Sequence, residues 1–493
     1  MFKKVLIANR GEIAVRILRA CRDMGIQTVV VYHASDISSL HVRLADECFP
    51  LESNLGYLDQ KTILRIAKDT GADAIHPGYG FFAERADFAR ACEREGIVFI
   101  GPPADVIDVL TDKPAAMARV RAAGFLTPEY AFIGAGGSDI NVVRAEAKRL
   151  GYPVLIKSNL GGRGRGAKLV RSPDRLEATL QQAQAEAHTI YRRRQVYLEK
   201  AIFPARQVAV QIVADSFGNL IHLGERTTSL QRGNQKLIEE SPMPGLAPDQ
   251  RERLWQTALD IARSFNYRNV GSVEFLVDDK GQFSFTEMKA RIQMEHPVTE
   301  MLSQVDLVQE QIRMAAGEAL TLKQENVWLR GCAIQCRINA EDPWQNFMPS
   351  PGHLSMVRLP GGFGVRVDTY VYSGASVPAR YDPLVAKLIV WGETREECMR
   401  RIRRALEDFA LTGVVTNLPL HQSVLNSPIL TRSTSTIGIR SLGAPEAPRP
   451  ETYFRDLAAV VAVAYAQRSL AFRSSLPERL QSGWHRASRE LPH

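Results

Sequence analysis

The stretch Glu287-Met288-Lys289-Ala290-Arg291-Ile292-Gln293-Met294-Glu295-His296-Pro297 alternates charged or amide side chains with apolar ones. Successive side chains of an extended chain point to opposite faces. Glu287, Lys289, Arg291, Gln293 and Glu295 are therefore expected on one face, and Met288, Ala290, Ile292 and Met294 on the other. A solvated surface strand has the same pattern, so the surroundings decide. Glu274 precedes a turn at Asp279-Lys280-Gly281, which makes a hairpin in which Glu274 and Glu287 converge. One or two carboxylates are what Mg2+ takes from a protein when phosphates supply its other oxygens. Lys113 and Lys157 border apolar elements, as phosphate ligands do. The loop Gly161-Gly162-Arg163-Gly164-Arg165-Gly166 can bring backbone N–H groups to phosphate oxygens. It is not a P-loop, because no Gly-Lys-Ser/Thr closes it. Nor is it the dinucleotide fingerprint, which belongs in the first strand–helix turn.

These residues need a scaffold. Lys4–Ala8, Thr28–Tyr32, Ala74–His76 and Ile97–Ile100 read as strands. Helices are expected from Gly11, with Ile13, Ile17, Cys21 and Met24 on one face, near Thr62–Lys68, and at Ala86–Glu95. Such alternation predicts a parallel sheet. Val154–Lys157, Lys168–Val170 and Val196–Glu199 read as strands around a helix at Asp174–His188. With its glycine loop, this small unit suits a mobile lid. Two hairpins follow, one turning at Phe217-Gly218-Asn219 and one pairing Ser272–Val277 with Phe283–Met288. Ala444 to Pro450 reads as a linker, and Glu451–Phe472 as a helix that packs on the body or docks a partner.

Bulk properties exclude several classes. At 493 residues, with 45% hydrophobic and 24% charged residues, the chain is expected to be a soluble multidomain protein. No apolar run spans a membrane, and the N-terminus lacks a signal-peptide pattern. The six cysteines are scattered and read as reduced, buried thiols of a cytoplasmic protein. The net charge of +8 is dispersed apart from Arg192-Arg193-Arg194, with no aromatic-basic nucleic-acid motif.

Further motifs stand in order along the chain: Ile7-Ala8-Asn9-Arg10-Gly11-Glu12-Ile13-Ala14, His76-Pro77-Gly78-Tyr79-Gly80-Phe81, Gly151-Tyr152-Pro153-Val154, Glu295-His296-Pro297-Val298-Thr299-Glu300, and Cys336-Arg337-Ile338-Asn339-Ala340-Glu341-Asp342-Pro343. With Arg291-Ile292-Gln293, Pro351-Gly352 and Tyr381-Asp382, they make residues 1 to about 443 resemble the biotin carboxylase component of acetyl-CoA and related acyl-CoA carboxylases, within the ATP-grasp superfamily. The resemblance implies an α/β and α+β multidomain fold. A Rossmann-like N-terminal domain would cover 1–113. An ATP-grasp domain would cover 114–330, with its lid at about 131–203. A biotin-carboxylase C-terminal domain would cover 331–443, and a linker and docking tail 444–493.

It also implies roles. ATP would meet Lys113, Lys157, Gly162, Gly164, Gly166, Glu199, Lys200, Ile202, Gln207, Gln231, Asn234 and Leu276, with Mg2+ or Mn2+ on Glu274 and Glu287. Bicarbonate and biotin would meet Tyr79, Lys236, Arg291, Gln293, Met294, Glu295 and Arg337. Glu295 would deprotonate bicarbonate and Arg337 would stabilise the biotin enolate. No Ala-Met-Lys-Met attachment motif is present, so the resemblance implies a separate biotin carboxyl carrier protein and separate carboxyltransferase subunits. It implies a homodimer through Arg19, Phe363 and Arg366.

Four residues depart from the family pattern. Lys289 stands where an Asn usually binds metal, Arg163 replaces a lid glycine, and Asn234 and Gln207 replace histidines near the nucleotide. An ammonium about 4 Å from Mg2+ costs roughly 8 kcal/mol at an effective dielectric of 20. Either one metal is lost, or Lys289 turns to phosphate, or its pKa falls. The main expectation is ATP-dependent carboxylation of carrier-bound biotin. The alternatives are a silent, structural or regulatory subunit, or another ATP-grasp ligase.

Overall fold

A computed structural model of the chain describes residues 1–133, 139–159, 167–191, 193–232, 235–427, 437–438 and 451–471. The N-terminal part builds a five-stranded parallel sheet. Its strand order is Glu47–Pro50, Gln27–Tyr32, Lys4–Ile7, Ala74–His76, Val98–Phe99. Helix Gly11–Asp23 buries Ile13, Ile17 and Cys21 of the expected face, whereas Met24 lies past its last turn as the C-cap and is half-buried. Two further helices, Ala104–Thr111 and Lys113–Ala122, lead out of this part. Asp112 caps the second by accepting the Ala115 N–H at 3.1 Å, so Lys113 opens a helix.

The central sheet is antiparallel along its path and nine-stranded. It runs Phe283–Lys289, Asn269–Asp278, Ala205–Ala214, Leu220–Arg232, Gln235–Ser241, Cys332–Asn339, Leu384–Gly392, Val365–Thr369, with Ile437–Gly438 joining Leu220–Arg232. Gln235–Ser241 pairs with Cys332–Asn339, so hydrogen bonding carries the sheet across residue 330. A separate four-stranded sheet orders Tyr130–Phe132, Val196–Lys200, Val154–Ser158, Lys168–Val170 and has its own core, including Val143, Ile156, Leu180 and Leu198. Its long helix begins at Leu176, because Pro173–Arg175 forms a 3-10 turn first.

Five cysteines are buried and unpaired. Cys48 is also unpaired but exposed, against expectation, because its strand lies at the edge of the parallel sheet. Residues 444–493 form a second unit, described through the helix Glu451–Ala471. Leu457, Val460, Val461, Val463 and Tyr465 of that helix are exposed. The linker at 444–450 and residues 472–493 lie outside the described residues. Among the described residues no helix is long and apolar enough to cross a membrane.

Burial of histidine sets an acid sensitivity. Burial lowers the His41 and His421 pKa values to about 4 and that of His76 to about 3. An unfolded His titrates near 6.5 and so takes up protons first as pH falls. The stabilisation is complete above about pH 6.5 and is lost towards pH 4, at roughly 3 kcal/mol for His41 alone. A melting temperature that falls steadily over this window is expected in a calorimetric pH series. A flat profile would contradict the neutral buried rings.

Candidate active site

The key hairpin aligns as expected, with Glu274 and Glu287 direct cross-strand partners. The strand, however, ends at Lys289 rather than continuing to Glu295. Pro297 lies in the first turn of helix His296–Ser303, and the chain turns at Met294 and Glu295 to enter it. The alternation therefore fails at its end. Gln293 and Glu295 are buried, while Met294 is only half-buried.

One hydrogen-bonded network gathers most of the expected bicarbonate and biotin residues. Lys236 donates to Glu295 at 2.8 Å and to Glu274 at 3.3 Å. Arg337 Nη2 lies 3.0 Å from Glu295 Oε2. Gln293 donates to Glu274 Oε1, and its own oxygen accepts from Arg226 and from the Ser272 hydroxyl. Gln207 donates to Glu274 Oε2 at 2.7 Å and accepts from Gln231 at 2.9 Å. Burial alone would raise the Glu295 carboxyl. Lys236 and Arg337 outweigh it and hold this carboxyl well below the usual range.

A second cluster surrounds Glu287. Lys113 lies 3.0 Å and Lys289 2.9 Å from the same oxygen, Oε2. Burial would lower the Lys289 pKa, but Glu287 and Glu84 raise it instead. A carboxylate as its direct neighbour thus favours the charged form of Lys289, against the alternative in which its pKa falls. Arg291 pairs with Glu84 at 3.1 Å and lies outside the Glu295 network.

On the four-stranded sheet, Lys157 pairs with Glu199, which also accepts from Tyr197 at 3.2 Å. The Lys200 ammonium is turned to the Gly151 carbonyl at 2.6 Å. Ile202 and Leu276 are half-buried. Gly162, Arg163, Gly164, Gly166 and Asn234 lie outside the described residues.

Several residues here escaped the sequence reading. Glu239 accepts from Arg337 Nε at 2.6 Å and from Gln335 at 3.0 Å, so Arg337 bridges two carboxylates. Gln335 and Arg337 share a strand face by their two-residue spacing, a signal that was available. Fully buried Lys387 donates to the Met294 carbonyl at 3.2 Å and lies 3.0 Å from Glu12, which accepts the Tyr79 hydroxyl. The Asn9 amide holds the Pro77 and Tyr79 carbonyls at 2.6 and 2.9 Å. A side chain on Gly78, at φ +61°, would meet that amide at 2.9 Å.

Among the described residues no group of three or more His, Cys, Asp or Glu converges. The paired carboxylates Glu274 and Glu287 nonetheless suit one hard divalent ion that draws its remaining oxygens from phosphate and water. Lys289 offers that ion no oxygen.

Three family models match the chain: biotin carboxylase N-terminal domain over 1–107, carbamoyl-phosphate synthase L chain ATP-binding domain over 112–323, and biotin carboxylase C-terminal domain over 335–439. Biotin carboxylase 1 of Bacillus subtilis is 48% identical over 432 residues, covering 86% of this chain and 95% of the relative. The biotin carboxylase of Haemophilus influenzae is 47% identical over 428 residues, covering 86% and 95%. Among solved structures, the biotin carboxylase domain dimer of Hydrogenobacter thermophilus 2-oxoglutarate carboxylase, in complex with MgADP, ADP and bicarbonate, gives a TM-score of 0.86 at 43% identity, covering 88% of this chain and 96% of that one. The biotin carboxylase–β,γ-ATP complex from Campylobacter jejuni gives 0.85 at 38% identity, covering 88% and 98%. On the matched domains, the identity and the shared fold, this chain belongs to the biotin carboxylase family.

Proposed function

We propose that this chain uses ATP and bicarbonate to carboxylate biotin borne by a separate carrier protein. The observation that carries the reading is Glu295: buried and held between Lys236 and Arg337, which keep its carboxyl below the usual range, beside Gln293. Bicarbonate becomes a strong nucleophile when it loses its proton, and an ionised carboxylate at hydrogen-bond distance takes that proton. Lys236, Gln293 and the Met294 N–H orient the anion, with Arg291 at the rim. A bicarbonate oxygen attacks the γ-phosphorus, ADP leaves, and carboxyphosphate forms. Lys113 and Lys157 offset the charge that develops on the phosphoryl oxygens. Mg2+ on Glu274 and Glu287 would supply further charge neutralisation there. Carboxyphosphate breaks down to CO2 and phosphate. The released phosphate takes the ureido N–H proton of biotin, and the resulting enolate, stabilised by Arg337, forms its N–C bond with CO2. Glu199, Lys200, Ile202, Gln207, Gln231 and Leu276 complete the nucleotide site in this reading.

The division into 1–113, 114–330, 331–443 and 444–493 is proposed with it, with 131–203 as the lid. A carboxyltransferase would take the product onward. Exposed Phe363, packed edge-on against Trp391, and exposed Arg19 would meet a second copy. Arg366 would brace that surface through Glu300 at 2.7 Å and Asp368 at 2.8 Å. The 444–493 tail would dock a carrier or transferase protein, and deletion of residues 445–493 should then cost co-purification.

The test is phosphate release by purified full-length protein with ATP, Mg2+, bicarbonate and free biotin, with labelled bicarbonate followed into biotin. Biotin-dependent release with label transfer is expected. Bicarbonate-stimulated release indifferent to biotin would point to another ligase of the superfamily. No release would leave the silent, structural role.

A further inference from the structure

The Gln293 side chain ends in two chemically different groups of similar size, an oxygen that accepts and an NH2 that donates. Its neighbours fix which group points where. Arg226 Nη2 and the Ser272 hydroxyl both donate to the Gln293 oxygen. A guanidinium has five donors and no acceptor, so only an oxygen can face it. At the other end the Gln293 NH2 donates to Glu274 Oε1, an atom that also accepts from Lys236 at 3.3 Å. The sheet register explains how one side chain reaches both. Ala209 pairs with Arg226 on one side and with Glu274 on the other, so the three lie in one row on one face. The small side chain in the middle leaves room for Gln293 to bridge its two neighbours. Arg226 is buried, and its Nη1 donates to Gln211 at 2.8 Å and to Thr299 at 3.1 Å. Gln211 belongs to strand Ala205–Ala214 and Thr299 to helix His296–Ser303, so the guanidinium is anchored on two further elements.

We propose that Arg226 is a positioning residue for bicarbonate: without touching the anion, it sets the Gln293 amide so that N–H, and not C=O, faces it. The inference rests on the bicarbonate reading above and deepens it. An amide nitrogen carries two hydrogens. One is spent on Glu274, and the other finds no acceptor among the described residues. That second N–H is the donor bicarbonate would take. A flipped amide would set NH2 against the Arg226 and Ser272 donors and oxygen against Glu274 Oε1, so both ends would lose their partners. It would also turn a carbonyl towards the incoming anion. The Ser272 hydroxyl alone cannot choose, because a hydroxyl donates or accepts and so tolerates either orientation. Glu274 favours the observed orientation from the other end, but its Oε1 is shared with Lys236, and in the reading above it also serves Mg2+. Arg226 has no second task.

The test reads where the loss falls. Bicarbonate-dependent phosphate release by full-length protein, with ATP, Mg2+ and free biotin, gives separate KM values for bicarbonate and for ATP. Arg226→Met keeps the length of the side chain and removes every donor. It should raise the bicarbonate KM roughly tenfold or more, the scale of one hydrogen bond to a charged group, and leave the ATP KM within about twofold. Arg226→Lys keeps the buried charge without the fork and should raise the bicarbonate KM roughly threefold or more. It carries the test if Arg226→Met does not fold. Gln293→Met supplies the second comparison. Because Arg226 acts through Gln293, either Arg226 substitution added to Gln293→Met should change the bicarbonate KM by less than about twofold. A bicarbonate KM unchanged in both Arg226 variants would overturn the proposal. So would the same fold rise with and without Gln293→Met, or an ATP KM that rises in parallel. A wild type whose phosphate release ignores bicarbonate would remove the bicarbonate reading itself, and the Arg226 proposal with it.

Discussion

Glu295→Gln is expected to lower biotin-dependent phosphate release by roughly 10²–10⁴-fold, the usual contribution of a positioned general base. The amide keeps the size of the side chain and can still accept a hydrogen bond from Lys236 or Arg337, but it cannot take a proton. Glu295→Asp keeps the chemistry with a shorter reach and should recover part of the rate. The pH profile gives a second readout. Burial opposes ionisation of Glu295, but Lys236 and Arg337 together overcome it and lower the carboxyl well below its ordinary value. The base therefore stays ionised through the ordinary Glu range, and its loss should appear only at more acidic pH. The sign for stability follows. The ion pairs contribute fully above the unfolded Glu value, near 4.3, and that contribution is lost as pH falls through the lower folded value. A Glu295→Gln rate within threefold of wild type would remove Glu295 from the role of base.

Lys387→Met should destabilise the chain by about 3–5 kcal/mol, the cost of leaving one member of a buried ion pair without its partner. Lys387 is fully buried between Glu12 at 3.0 Å and Asp368 at 3.6 Å. Burial already raises the Glu12 carboxyl despite this neighbour, so losing the ammonium drives Glu12 towards its protonated form. Adding Glu12→Gln removes the orphaned charge, and the double variant should be more stable than Lys387→Met alone. Lys387 also fixes the Met294 carbonyl at 3.2 Å, which orients the turn between Gln293 and Glu295. The bicarbonate KM should rise in Lys387→Met, and Lys387→Arg should restore part of it. Thermal melts of the single and double variants, read beside KM, separate the two effects. Melting temperatures equal to wild type would show that the buried pair carries little stability.

Much of the scaffold was legible in the sequence. Ile13, Ile17 and Cys21 repeat at helical spacing and are buried on one face. The turn at Asp279-Lys280-Gly281 aligns its hairpin so that Glu274 faces Glu287. Both patterns come from local periodicity, which a single chain displays without its neighbours. Glu287 to Ile292 likewise keeps its alternation, because neighbouring residues dictate which face each side chain takes. The pattern misled at Gln293 because helix His296–Ser303, with Pro297 in its first turn, follows closely, and the turn into that helix reorients the last members of the run.

Long-range pairing was not legible. Glu239 reaches Arg337 across 98 residues, and Lys387 reaches Met294 across 93. Strand pairing between Gln235–Ser241 and Cys332–Asn339 brings the first pair together, and nothing in the spacing of either segment names the other. The charge state of Lys289 was undecided for the same reason. An isolated lysine beside a metal site is open to several outcomes, whereas the folded sheet places this one 2.9 Å from Glu287, a carboxylate that favours its charged form. By itself the sequence determined the strands, the helix faces, the family motifs and the types of group available for chemistry. The tertiary structure decided which charges share a partner, because electrostatic energy depends on distance and burial, and only the folded sheet sets these for residues far apart in the chain.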